Sequence, residues 1–318
     1  MTHTPIDGLA TIPRLGLGTW KSKRGEVGAA ITAALDIGYR HFDCASIYNN
    51  EKEIGTALSA AISTGTVRRE QLWISSKLWN NAHAAKHVRP ALERTLKNLQ
   101  LDHLDLYLIH WPVSFKADIT FPKRPEQFIA AADLPIIETW RAMEKMVKKG
   151  LCRHIGVCNF NTRRLIELEE NGSQKPYTNQ IELHPFLQQP QMIKYCAKSS
   201  IQLTAYSPLG SGKAPQREDL KATVSLLNHP KIVNLALKKQ ATPAQILIAW
   251  ALTRQTIVIP KSIHHARLME NFQAQHITIS TNEMMDLCQI DLGHRFLDGS
   301  FFAPPGSPYT VNNLWDES

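Results

Sequence analysis

The 318-residue chain is poor in cysteine, and none of its five cysteines forms a CxxC pair. Cys44, Cys152, Cys158, Cys196 and Cys288 are odd in number and scattered, which argues against a disulfide framework and against a zinc site. No metal is expected. Long apolar runs are also missing: the longest, Ile246 to Leu252, has seven residues, against the roughly 20 needed to span a bilayer. No transmembrane helix and no membrane partner are therefore expected. Residues Met1 to Ala10 carry neither the basic and apolar regions of a secretory signal nor an Arg-rich amphipathic leader, so the expected location is cytoplasmic. No run of five or six basic residues occurs, although Lys and Arg outnumber Asp and Glu by 36 to 28. A net charge of +8 spread this thinly favours a phosphate-bearing small ligand over nucleic acid. Gly16-Leu17-Gly18 begins like a dinucleotide-binding GxGxxG, but its third glycine would fall on Lys21, and no well-placed acidic residue follows. GxxxxGK[ST], HExxH and GxSxG are absent, which removes the commonest nucleotide hydrolase, metalloprotease and serine hydrolase patterns.

What is present suits a folded chain: 43% of residues are hydrophobic and 20% charged. Short β-rich runs alternate with helical patterns throughout. The strands predicted are 14–18, 40–44, 72–78, 104–110, 155–159, 178–183, 201–206 and 256–259; most are near-continuously apolar, as parallel strands buried on both faces should be. Helical patterns fall at 25–37, 51–62, 84–99, 135–149, 161–170, 189–199 and 243–254, with Asn161 and Thr242 as N-caps and Pro243 at a first helical position. Eight such units at about 30 residues each would use most of the chain. The Pro- and Phe-rich stretch 114–134 and the tail from Gly293 read as long loops. No Gly/Ser linker or composition break divides the sequence, so residues 1–318 are expected to form one α/β domain, a (β/α)₈ barrel, with an open doubly wound sheet as the alternative.

In a (β/α)₈ barrel, functional groups sit at the carboxyl ends of the strands. Seven of the predicted strands end in, or run into, a polar residue: Asp43, Lys77, His110, Asn159, Gln180 with Glu182, Tyr206 and Lys261. Tyr48 follows five residues after Asp43. An acid, an amine, an imidazole and a phenol would thus converge on one rim.

These residues resemble the aldo-keto reductase family. Gly38-Tyr39-Arg40-His41-Phe42-Asp43-Cys44-Ala45, with Tyr48, Glu51 and Ile54-Gly55, is similar to that family's first signature. Gly156-Val157-Cys158-Asn159-Phe160 resembles the second, and Ile259-Pro260-Lys261-Ser262 with Arg267, Glu270 and Asn271 the third. Gly18-Thr19-Trp20 and Ser207-Pro208-Leu209 extend the likeness. The resemblance implies a (β/α)₈ barrel that binds NADPH/NADP+ without a Rossmann fold and reduces carbonyls. It implies a catalytic set of Asp43, Tyr48, Lys77 and His110: Tyr48 donates the proton, Lys77 lowers the phenol's pKa from about 10, Asp43 holds the ammonium, and His110 orients the carbonyl oxygen. For the cofactor it implies Asn159 and Gln180 on the carboxamide, whose donor and acceptor amide side chains can match, and Tyr206 on the ring. Thr19, Trp20, Asp43, Ser207, Leu209 and Ser211 would line the ribose and pyrophosphate path. Lys261, Ser262 and Arg267 would meet the 2′-phosphate, with Glu270 and Asn271 at the adenine.

Other readings of the same residues stay open. Residues 267–271 could be only a polar helix face. Cys158 stands where many family members carry serine and reads as a buried inert thiol or a redox-sensitive one. Trp20, Trp79 and Trp111, with His110, would wall a pocket for aldehydes with hydrophobic or aromatic tails, or simply pack under a loop. His264 and His265 read as a solvated helix start. The expectation is a monomeric NADPH-dependent aldehyde reductase; alternatives are a reductase of keto-acids, keto-esters or sugars, and a nucleotide-sensing regulatory subunit with weak turnover.

Overall fold

The computed structural model describes residues 12–23, 25–211 and 224–315. Eight strands form one parallel sheet in sequential order: Leu17–Gly18, His41–Asp43, Trp73–Leu78, Leu104–Ile109, Cys152–Cys158, Thr178–Glu182, Gln202–Tyr206 and Ile257–Val258. The sheet closes on itself. The Val258 amide donates to Arg14 O at 2.8 Å, Gly16 N to Val258 O at 2.9 Å and Gly18 N to Pro260 O at 3.0 Å, so the last strand pairs with the first. The fold is an α/β (β/α)₈ barrel, and the open-sheet alternative is excluded by these bonds.

Alternation along the strands separates two apolar sets. Phe42, Ile74, Tyr107, Val157, Ile181, Ala205 and Val258 join one buried cluster with Ile31, Ile54, Leu92, Trp140, Leu165 and Ile248 of the surrounding helices. Trp73, Leu106, Leu108, Cys158 and Ile257 form a smaller cluster inside the barrel with Ile12. Each fully buried side chain of this size contributes roughly 1.5–3 kcal/mol, so the helical shell carries most of the burial. The strands are buried on both faces, as expected, but their inner face turns polar toward the carboxyl ends: Trp73 is followed at period two by Ser75 and Lys77, all buried. Close packing of the interior also explains one glycine. A Cβ at Gly16 would lie 2.5 Å from Nδ1 of the buried His41 ring.

All seven predicted helices form within two residues of their expected ends. Asn161 and Thr242 cap theirs, accepting from Arg164 N and Gln245 N. The structure adds helices Pro230–Lys239, Thr281–Cys288 and Val311–Trp315, whose short apolar stripes gave no clear period, and a full helix His265–Gln273 where only a start was read. The stretch 114–134 is not an unstructured loop: Ser114–Phe115 and Phe128–Ile129 pair antiparallel. Among the described residues, no helix is long and apolar enough to cross a membrane.

Candidate active site

The second and third strands lie in register, with Asp43 opposite Ser75, and this sets the centre of the site. Lys77, two residues beyond Ser75 on the inward face, is 0% exposed. Its Nζ donates to Asp43 Oδ2 at 2.5 Å and to Cys44 O at 2.8 Å. The other Asp43 oxygen accepts from Gln180 Nε2 at 2.8 Å and from Ser75 Oγ at 3.2 Å. Thr19 Oγ1 donates to the Asp43 backbone carbonyl at 2.8 Å, and Asn50 Nδ2 holds Thr19 O at 3.0 Å. An ammonium removed from water is thus matched by a carboxylate whose remaining acceptors are filled, the condition under which a buried ion pair is tolerated.

Tyr48 ends the single turn Ser46–Tyr48, which Asn49 terminates in the left-handed region at φ 56°. Ser46 Oγ donates to Lys77 O at 3.1 Å and anchors that turn to the third strand. The half-buried phenol ring lies with its centroid 5.2 Å from Lys77 Nζ and 5.7 Å from the His110 ring, edge-on to the latter. His110, at the end of the fourth strand, meets Trp79 edge-on at 5.1 Å.

Two opposing influences act on the phenol at the centre. Burial raises the Tyr48 phenol above its ordinary value, and the opposing pull of Lys77 does not bring it below that value. Desolvation alone would lower Lys77, but Asp43, with Tyr48 and Cys158 adding, holds the ammonium above its usual range. Burial, followed by the charges of Lys77 and His83, pushes His110 well below the usual imidazole value. At neutral pH the rim therefore presents a neutral phenol, a neutral imidazole and a charged ammonium.

Around this centre the other predicted residues fall into two groups. Asn159, in the left-handed region at φ 62°, donates through Nδ2 to His110 O at 3.0 Å and accepts from Tyr206 OH at 2.8 Å. With buried Gln180 and half-buried Tyr206 it forms a polar row across three neighbouring strands, and Ser207, at φ 48°, leads on to Leu209 and the exposed Ser211. The second group lies beyond the eighth strand. The helix His265–Gln273 starts without a side-chain cap, and Lys261, buried Ser262 and exposed Arg267 flank its first turn. Uncapped N–H groups and two cations there suit an anion. Glu270 is held by Thr242 Oγ1 at 2.6 Å, and Asn271 is buried. His264 and His265 are exposed at the helix start, as read from sequence. Among the described residues, no group of three or more His, Cys, Asp or Glu could hold a metal.

The tryptophans divide. Trp79 and Trp111 are buried in a third apolar cluster with Val113, Phe115, Phe128, Phe302, Tyr309, Leu314 and Trp315, which roofs the carboxyl ends of the strands. Trp20 is 41% exposed. Phe121 lies 5.4 Å from Trp79 and Phe301 5.7 Å from Trp111, and both are more than half or half exposed at 57% and 50%, so the way out from His110 is aromatic. The two predicted long loops join here: Tyr309 OH donates to Ile129 O at 2.7 Å and accepts from Ser114 N at 3.0 Å.

Sequence reasoning missed three supports of the centre: Ser75, Asn50 and the Cys44 carbonyl. Ser75 was legible as the inward neighbour of Lys77 at period two; Asn50 acts through a contact across 31 residues that no local pattern encodes.

With this geometry in hand, comparison with known proteins is specific. The model of the Aldo/keto reductase family matches residues 14–291. An aldo/keto reductase of Synechocystis sp. is 48% identical over 317 residues, which cover 100% of this chain and 97% of that relative. Aldo-keto reductase family 1 member A1 of Bos taurus is 44% identical over 288 residues, 90% of this chain and 88% of the relative. Among solved structures, the aldose reductase from Schistosoma japonicum superposes with a TM-score of 0.85 at 40% identity, covering 95% of this chain and 96% of that one.

Proposed function

This chain belongs to the aldo/keto reductase family, and on that premise we propose that it reduces aldehydes to alcohols with NADPH, Tyr48 giving the proton. The observation that carries the reading is the buried Asp43–Lys77 pair with the Tyr48 ring beside it and neutral His110 opposite.

The residues present fit the cofactor. Asn159, Gln180 and Tyr206 offer donors and acceptors suited to a carboxamide and an aromatic face suited to a nicotinamide ring. The uncapped helix start with Lys261, Ser262 and Arg267 suits a 2′-phosphate. On the family resemblance, Thr19, Trp20, Asp43, Ser207, Leu209 and Ser211 would line the path between them, with Glu270 and Asn271 at its far end. When bound, the reduced cofactor supplies the hydride that adds to the carbonyl carbon.

The chain's own groups handle the proton. Neutral His110 donates a hydrogen bond to the carbonyl oxygen and fixes its position above Tyr48. Since a phenol of ordinary pKa, about 10, is protonated at neutral pH and burial only raises that value, Tyr48 is loaded as an acid. As negative charge develops on the substrate oxygen, the phenolic proton passes to it, and the phenolate left behind is stabilised by the Lys77 ammonium, which Asp43 and Cys44 O keep in place. The aromatic exit lined by Trp79, Trp111, Phe121 and Phe301 favours aldehydes with apolar or aromatic tails. The test is steady-state loss of NADPH absorbance with a simple aromatic aldehyde. A loss of about 10²-fold or more in Tyr48→Phe is expected, and absence of turnover in the wild-type chain refutes the reading.

A further inference from the structure

A second buried acid stands at the rim and takes no part in this chemistry. Glu182 ends the sixth strand, and its side chain and that of His184 are both 0% exposed. Its carboxylate accepts three bonds: from His184 Nε2 and Phe296 N on Oε1, both at 2.8 Å, and from Leu297 N on Oε2 at 2.8 Å. Two of these donors are backbone amides of the C-terminal segment. Only an acceptor-only group satisfies all three. A glutamine would turn an N–H₂ against one of the donors, and an aspartate is one methylene too short to reach them.

What lies downstream gives the fastening its consequence. Next to the clamped pair, Asp298 O receives the Trp315 indole at 2.6 Å, folding the segment back on itself. The folded-back piece presses Phe301, Phe302 and Trp315 on Trp111 at 5.7, 5.2 and 5.9 Å. A slip of one residue at 296–297 would displace every one of these rings. The Phe296 ring, between the clamp and the loop after the seventh strand, packs on His184 at 5.3 Å and would lie 3.2 Å from a Cβ at Gly210. Gly210, at φ +69°, is therefore strained for a larger residue, whose Cβ would also crowd Leu226 at 3.0 Å and this ring.

We propose that Glu182 is a positioning residue for substrate selection: held by His184, it sets the register in which the C-terminal segment lies over the aromatic exit, and so governs the fit of bulky aldehydes without touching the reacting atoms. This rests on the reductase reading above. Burial opposes the charge on Glu182, but the bonds from His184 and the two amides outweigh it and hold the carboxyl below its usual range, so the fastening is ionised at neutral pH.

The test uses the full chain with Glu182→Gln and, as a second variant that leaves the carboxylate in place, Phe296→Ala. In both, KM for an aromatic aldehyde should rise by about fivefold or more while kcat, and both constants for propanal, stay within about twofold. Amide exchange at Phe296 and Leu297, followed without substrate or cofactor, should quicken by about tenfold in Glu182→Gln. Unchanged exchange in Glu182→Gln overturns the proposal, as does faster exchange with propanal and the aromatic aldehyde affected alike. Should Glu182→Gln fail to fold, Glu182→Asp, one methylene too short to hold both amides, decides by the same exchange and aldehyde criteria. A wild-type chain that reduces neither aldehyde refutes the reductase reading and with it the selection role; the exchange arm then judges the fastening by itself.

Discussion

Replacing Lys77 by Met is the most informative single perturbation, because it removes the charge at the centre and keeps the side chain's bulk. Asp43 would keep its bonds from Gln180 and Ser75 but lose the ammonium at 2.5 Å. A buried carboxylate stranded in this way costs about 3–5 kcal/mol. At about 2–4 °C per kcal/mol for a large domain, the unfolding midpoint should fall by roughly 6–20 °C. Activity should fall separately, by about 10²- to 10⁴-fold, because the phenolate formed on proton transfer loses its counter-charge. The double variant Asp43→Asn with Lys77→Met tells the two losses apart: it removes the stranded charge, so stability should largely return while activity does not. Since the Lys77 pKa is raised in the folded state, its contribution is fully present below the unfolded value of about 10.5 and is lost only as pH rises through the folded value. The stability gap between wild type and Lys77→Met should thus be flat from about pH 6 to 9 and shrink in alkali. Thermal scans and NADPH turnover on the three proteins make the measurement. A Lys77→Met protein that keeps more than about a tenth of the wild-type rate, far outside the general-acid range, or a double variant no more stable than the single, would refute the reasoning.

Tyr48→Phe should lower the rate by about 10²-fold or more with NADPH affinity nearly unchanged, measured by tryptophan quenching beside single-turnover kinetics. Arg267→Ala should weaken NADPH by about 10- to 150-fold, the equivalent of one charge-assisted bond of about 1.5–3 kcal/mol, and leave NADH almost untouched; equal losses for both would make Arg267 a structural residue. Acid should destabilise the fold through histidines kept neutral by burial, since His41 is pushed down to about 4 and His83 to about 3. A depressed imidazole stabilises fully above about pH 6.5 and loses about 1.4 kcal/mol per pH unit below it until the folded value is reached. Denaturant midpoints from pH 7 to pH 4.5 check this, and a flat profile would count against it.

The strand ends were the most legible part of the site, because a barrel strand buried on both faces has little reason to end in Asp43, Lys77 or His110 unless the rim uses them. Helix positions were legible where caps such as Thr242 and a long apolar stripe coincided. Pro230–Lys239 and Thr281–Cys288 were not, since each buries only one to three residues and so shows no full period. The pull of Lys77 on the Tyr48 phenol can be read from sequence, whereas the burial that opposes it cannot. Glu182 was visible as a strand end, but its partners lie 114 and 115 residues away, a separation that no local pattern records.

The burial of Lys77 has a consequence for durability. A protein that holds aldehydes risks condensation of its own amines with them, and that step requires an uncharged nitrogen with its lone pair free. Lys77 stands beside the very place where the carbonyl would sit. With its ammonium held above the usual range by Asp43, far fewer than about one molecule in a thousand carries a neutral amine there at neutral pH. Two acceptors and complete exclusion from solvent also engage its nitrogen. On the proposed reading, the pairing beside the phenol would also keep the site from being capped as an imine by an aldehyde substrate.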